Sequence, residues 1–322
     1  MTVLPPDPTL IDAAEVTLCE VWPRDGIQGW SSTVSTDDKL AVIAAALASG
    51  VSEVDATSFV SPKATTQFGD AEELLVRMHE AGLKATVRVL TVNTRSFDRI
   101  AANPLLRETI DICGFPISAS EAHNLANLRR SHADHLEALA RMIDRCADLA
   151  LTPLFCVATA YGCPLEGVVA RERVLELARW AYDRGVRTIM LGDTTGMADP
   201  RHAWELFTLL GRELPEARLV GHFHDTRGSG IANTLAAIAA GVRVVDASLG
   251  GLGGEPPSVE QNHSGESGNV CTEDLVAVLQ RMGYRTGIDL DLLLDAGRLV
   301  ERVCGTTLRS QVLRTGPAVP AR

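Results

Sequence analysis

The stretch Arg218-Leu219-Val220-Gly221-His222-Phe223-His224-Asp225-Thr226-Arg227-Gly228 starts apolar, turns polar and runs directly into an Ala-rich helical pattern. Its first half reads as a strand, and on a strand side chains two residues apart share a face. His222 and His224 therefore point the same way, at the strand's carboxyl end. A strand that ends in chemistry-bearing residues and passes at once into a helix is the repeating unit of a parallel α/β fold. Taken alone, the pair reads more readily as surface or satisfied polar packing than as a metal site, so the rest of the chain has to decide.

The same unit recurs from one end to the other. Candidate strands lie at 16–21, 53–60, 84–90, 110–117, 154–160, 187–191, 218–224 and 242–249. Helical patterns follow near 37–49, 68–82, 94–102, 121–149, 166–184, 199–212, 228–240 and 272–283, and 290–304 adds one more. Strand and helix alternating eight times without a break in composition predict an α/β fold, a single-domain (β/α)8 TIM barrel with a C-terminal helix. The rival doubly wound sheet lacks a Gly-x-Gly-x-x-Gly after its first strand. The expected layout is a short N-terminal arm over 1–14, a TIM-barrel catalytic domain over 15–310 and a C-terminal tail over 311–322.

The chain has 322 residues, 46% of them hydrophobic, which is ample for a large core. A net charge of −11 argues against nucleic acid as a partner. It leaves small anionic substrates open, because local fields outweigh total charge inside a pocket. No run approaches the ~18 apolar residues of a membrane span. The first residues, with Pro5, Pro6 and Pro8, lack the basic start and apolar centre of a signal peptide, so a cytoplasmic protein is expected. Seven scattered cysteines without C-x-x-C read as reduced thiols, Cys163 partly buried in a turn and Cys271 packed. His123, His132 and His135 lie among Asn and Arg and are expected on a solvated helix face.

In such a barrel the catalytic groups gather at the carboxyl ends of the strands. Arg24 and Asp25 follow the first strand, Asp55 lies in the second, Asp193 ends the sixth and glycines 250–254 follow the eighth. Strands 1 and 7 are both odd-numbered and share layers, which places Asp25 near His222 and His224. One carboxylate and two imidazoles suit Mg²⁺ or Mn²⁺, with Zn²⁺ or Co²⁺ as further options, and Asn269 could add a carbonyl oxygen. Such a metal would polarise a substrate carbonyl, and Arg24 could neutralise the developing oxyanion or serve as a rim salt bridge.

Several motifs carry a resemblance: Arg24-Asp25-Gly26-Ile27-Gln28, Thr57-Ser58-Phe59-Val60-Ser61-Pro62-Lys63, Ser118-Ala119-Ser120-Glu121, Gly162-Cys163-Pro164-Leu165-Glu166-Gly167, Gly192-Asp193-Thr194, His222-x-His224-Asp225-Thr226, Gly251-Leu252-Gly253-Gly254 and Ser267-Gly268-Asn269. In order and spacing, from about Leu18 to the C-terminus, they resemble 3-hydroxy-3-methylglutaryl-CoA lyase, within the wider superfamily of metal-dependent barrel lyases and Claisen-type synthases. The resemblance implies a divalent metal at Asp25, His222, His224 and Asn269, an enolate steadied by Arg24 and a substrate arranged by Asp193. It also implies a homodimer acting on a small acyl-CoA or a hydroxy or keto acid. Gln28, Lys63, Thr194 and His263 are the expected substrate contacts.

The departures bear on substrate. Those lyases carry a catalytic cysteine directly after Gly-Leu-Gly-Gly, where this chain has Glu255. The loop from there to Asn269 looks about five residues longer. Asp55 stands where the family usually has glutamate. A thiol and a carboxyl differ in pKa by about four units, so the cysteine's proton-transfer role passes either to Glu255 or to another group such as His263. The expected activity is metal-dependent carbon–carbon cleavage of a 3-hydroxyacyl-CoA or close analogue through an enolate. The alternatives are a Claisen or aldol condensation on the same barrel and an inactive acyl-CoA-binding barrel. The sequence His222-Phe223-His224-Asp225-Thr226 favours the lyase branch over the synthases, which tend to have His-x-His-Asn-Asp.

Overall fold

In a computed structural model of the protein, eight parallel strands close on themselves in chain order. Residues 14–61, 63, 65–253 and 268–318 are described. The strands are β1 (Thr17–Glu20), β2 (Glu53–Ser58), β3 (Thr86–Leu90), β4 (Ile112–Ser118), β5 (Thr152–Ala158), β6 (Thr188–Asp193), β7 (Arg218–Phe223) and β8 (Val244–Ala247). The seam is made by β1 alongside β8, with Thr17 opposite Val244 and Glu20 opposite Ala247. A closed ring leaves no sheet edge to protect.

The helices are α1 (Thr36–Ala48), α2 (Ala71–Glu80), α3 (Thr94–Ala102), α4 (Pro104–Thr109), α5 (Glu121–Leu128), α6 (His132–Asp148), α7 (Arg171–Tyr182), α8 (Pro200–Glu213), α9 (Gly230–Ala239), α10 (Thr272–Arg281), α11 (Leu290–Cys304) and α12 (Gln311–Thr315). Their starts follow local chemistry. Ser35 caps α1 by accepting from the Asp38 N–H, and Asp199 caps α8 through the His202 N–H, with Pro200 in the first turn. Two of the helices, α4 and α12, were not anticipated. Asp274 holds α12 by accepting from the Gln311 and Val312 amides.

The expected helix over 121–149 is two. Arg129 adopts φ 55° and ends α5, and Ser131 restarts the chain as the cap of α6. The structure also corrects the expectation for the three histidines, all of which are buried. His132 and His135 continue the buried α6 stripe of Leu139, Met142, Ile143 and Cys146, so helical periodicity carries them inward. There they are partnered: His123 meets the Ser118 hydroxyl, His132 the Ser118 carbonyl and His135 the Asn124 amide oxygen. Burial lowers the His135 pKa to about 4, so it packs as a neutral ring. Cys163 is likewise fully rather than partly buried, in a two-way backbone bridge with Gly167.

The core has two layers. The larger lies between strands and helices; the smaller, inside the barrel, groups Ile112, Leu154, Met190, Val220 and Val244. Charged side chains share that interior: Glu53, Arg88 and Asp246 are all buried. Among the described residues no helix is long and apolar enough to cross a membrane.

Candidate active site

The turn after β1 sets the first two functional groups. Residues Trp22–Gly26 form a single π-helical turn with Pro23 in it, and the whole turn is buried at the carboxyl end of the barrel. Gly26 is required there, since a Cβ would lie 2.7 Å from the Ser248 hydroxyl of the neighbouring seam loop. The turn delivers Arg24 and Asp25 to the barrel mouth. Across it, His222 ends β7 with Phe223, and His224 bridges in antiparallel fashion to Asn269.

Asp25, His222 and His224 converge. The two imidazole Nε2 atoms lie 3.2 Å apart, and Asp25 Oδ2 lies 3.8 Å from that of His222 and 3.4 Å from that of His224. All three ligand atoms fall within 4.8 Å of one another and all three residues are buried. Asn269 joins them by donating from its amide to Asp25 Oδ2 at 2.7 Å. Its amide oxygen is buried without a hydrogen-bond partner among the described residues. Buried polar atoms are rarely left unpaired, so this one, beside a carboxylate and two imidazoles, marks a place for a cation. Gly253 lets the loop approach: a Cβ there would lie 2.2 Å from the Asn269 amide nitrogen.

Arg24 ties two carboxylates together. Its Nη1 lies 2.5 Å from Asp25 Oδ1, and its Nε and Nη2 lie 2.8 and 2.7 Å from Asp55 Oδ2. Burial works against the guanidinium charge, but Asp55 and Asp25 outweigh it and hold the pKa above the ordinary range. Burial would also neutralise Asp25; Arg24 and the two histidines reverse that and keep its pKa well below the usual carboxylate range. For Asp55 burial wins over Arg24 and the pKa rises. Asp55 reaches the site through Arg24, which lines the pocket in front of it.

Asp193 stands with one oxygen accepting from the Met197 and Ala198 amides at 2.7 and 3.1 Å, the other buried and unpartnered among the described residues. Burial, partly offset by His224 and those amides, raises its pKa to about 6.

Above the triad opens a pocket of about 1010 Å³. Gln28 lines it and donates to Asp25 Oδ1 at 2.7 Å. Thr194 lines it too, its hydroxyl accepting from the Thr159 amide, and Lys63 is exposed at its outer wall. Glu255 and His263 lie outside the described residues. Sequence reasoning missed the apolar part of the lining, where Leu90, Pro116, Cys156 and Met190 come from four consecutive strands. It also missed Asp246, whose carboxylate lies 3.0 Å from His222 Nδ1. The signal was there: a charge in the middle of an apolar parallel strand asks for a buried partner.

The HMGL-like family profile matches residues 15–300, nearly the whole barrel. The chain belongs to the HMGL-like family. Hydroxymethylglutaryl-CoA lyase from Pseudomonas mevalonii is 36% identical to this HMGL-like chain over 95% of it and 97% of the relative. The human mitochondrial hydroxymethylglutaryl-CoA lyase is 35% identical over 92% of this chain and 88% of its own. Among solved structures, an HMG-CoA lyase from Acinetobacter baumannii in complex with coenzyme A and 3-methylmalate superimposes with a TM-score of 0.84 at 33% identity, covering 96% of this chain and 97% of that one.

Proposed function

We propose that this HMGL-like chain is a divalent-metal-dependent carbon–carbon lyase that cleaves a 3-hydroxyacyl-CoA of the hydroxymethylglutaryl-CoA type. The observation that carries this reading is the convergence of Asp25, His222 and His224 beside Arg24 at the base of one deep pocket. Two imidazoles, one carboxylate and an amide oxygen suit a divalent cation, Mg²⁺ or Mn²⁺ with Zn²⁺ or Co²⁺ as alternatives. When bound, the cation supplies Lewis acidity to oxygens of the substrate.

The protein's own groups account for the remaining demands. The 3-hydroxyl proton leaves to a base, the C–O bond becomes a carbonyl, and the electron pair of the C2–C3 bond passes into the thioester enolate. Arg24, held in place by Asp25 and Asp55, offers a fixed positive charge to that enolate oxygen. Asp193, with one oxygen unpartnered among the described residues, arranges the hydroxyl in this reading. Glu255 then returns a proton to C2, in place of a thiol. The apolar part of the lining receives the carbon branch of the acyl group, and Gln28, Thr194, Lys63 and His263 contact the rest. The working form is a cytoplasmic homodimer.

The deciding experiment incubates the protein with 3-hydroxy-3-methylglutaryl-CoA and Mg²⁺ or Mn²⁺ and follows acetyl-CoA by mass spectrometry. Metal-dependent, chelator-sensitive release is expected. Bound metal without cleavage would assign the altered loop to a different acyl substrate or to condensation.

A further inference from the structure

A line of alternating charge runs through the barrel interior to the back of the metal site. His222 and Asp246 are register neighbours on β7 and β8, and His222 Nδ1 lies 3.0 Å from Asp246 Oδ2. The other oxygen of Asp246 accepts from Arg88 Nη1 at 2.8 Å, and Arg88 Nε donates to Glu53. Glu53 in turn accepts from Arg218 Nη2 at 2.7 Å, at the half-exposed far end. Asp246, Arg88 and Glu53 are each almost completely buried.

We infer that Asp246, held as a carboxylate by Arg88, is the positioning residue that fixes the His222 tautomer and so aims Nε2 at the metal. A carboxylate bonded to a guanidinium only accepts hydrogen bonds, so His222 Nδ1 must carry the proton. That leaves the lone pair on Nε2, the atom facing Asp25 and His224. Arg88 is essential to this logic. Its Nη1 holds Oδ1 of Asp246, which keeps Oδ2 turned toward the imidazole; without it the carboxylate has no second anchor among the described residues of the barrel interior. Glu53 and Arg218 complete the pairing, so the Arg88 charge is balanced from both sides and does not oppose an incoming cation. His224 has no such support: its Nδ1 is buried without a partner among the described residues. The two imidazoles are therefore unequal, one oriented from behind and one not.

The inference rests on the metal reading above, and its test separates the two. Long-range ¹⁵N spectra of the histidines in metal-free, full-length protein at mildly alkaline pH should show His222 in the Nδ1–H form. The Nε2–H form would overturn the inference, whatever the metal does. In Asp246→Asn, which keeps the shape and an oxygen for Arg88, Mn²⁺ affinity should fall about 10–100-fold and the His222 signals should leave the pure Nδ1–H position. Arg88→Met should move both readouts the same way, and Arg88→Lys should restore much of each. Unchanged affinity and unchanged signals in a folded Asp246→Asn would leave these residues as packing only. Wild-type protein that binds no Mn²⁺ would defeat the metal reading, while the tautomer measurement would still decide the inference.

Discussion

Two buried carboxylates, Asp25 and Glu20, sit five residues apart along the chain and behave in opposite ways. Asp25, 4% exposed, faces Arg24 and two imidazoles and stays ionised. Glu20, 1% exposed, has no salt bridge among the described residues. Its oxygens accept from the Trp22 and Leu249 amides and the Thr272 hydroxyl at 2.7–2.9 Å. Burial dominates those bonds and lifts its pKa to about 8. Glu273 beside it accepts from the Gly250 amide and the Cys271 thiol and is raised by burial to about 7. Equal burial thus leaves Asp25 charged, where a guanidinium and two imidazoles converge on it, and favours the neutral form in a clamp where only dipoles are in reach. The first group belongs to the proposed metal site; the second holds the glycine-rich turn after β8.

The sharpest way to break this contrast is to remove the cation. Arg24→Met is expected to lower kcat by about 10²–10³-fold. In the absence of metal it should also lower the thermal midpoint, because buried Asp55 loses its guanidinium partner, at a cost of about 3–5 kcal/mol. Unchanged turnover would strip Arg24 of its role. Next in size, His222→Ala should weaken Mn²⁺ binding and turnover together by calorimetry and steady-state kinetics. Glu255→Gln should reduce turnover while leaving Mn²⁺ binding intact, and if turnover survives, Glu255 leaves the mechanism.

The smallest effect tests the clamp. Glu20 has a folded-state pKa of about 8 against an ordinary 4.5, so between those values the folded protein keeps a proton that the unfolded chain has released. Its stability contribution is full below 4.5, declines as pH rises and is lost above about 8. Glu20→Gln does not titrate, so its melting temperature should rise relative to wild type across that window. Parallel curves for the two proteins would show that Glu20 is charged in the fold.

The barrel was legible because its parallel strands are buried on both faces and read as short apolar runs, each followed by helical periodicity. Strand ends moved by at most two residues, as for 84–90 against Thr86–Leu90. Of the expected metal ligands, Asp25, His222, His224 and Asn269 come together, since each lies at a strand end or the seam. What stayed hidden was pairing between strands. Arg88 and Asp246 are visible as charges within strands β3 and β8, but only the closed barrel brings them face to face, 158 residues apart in the chain. His132 and His135 were misjudged because their polar neighbours were weighed above the stripe they continue.

The seam between β1 and β8 has a consequence for how the protein matures. The hydrogen bond between Asn269 and Asp25 spans 244 residues, so the ion-binding group draws on the first and last turns of the ring. No partial chain ending before Asn269 can assemble it, and any opening of the seam takes it apart. Contacts so distant in sequence form late and slowly. A cation that binds only the closed ring acts as a clasp and stabilises closure in proportion to its concentration. Competence to bind metal is therefore a report that the chain has been made past Asn269 and that the ring has closed.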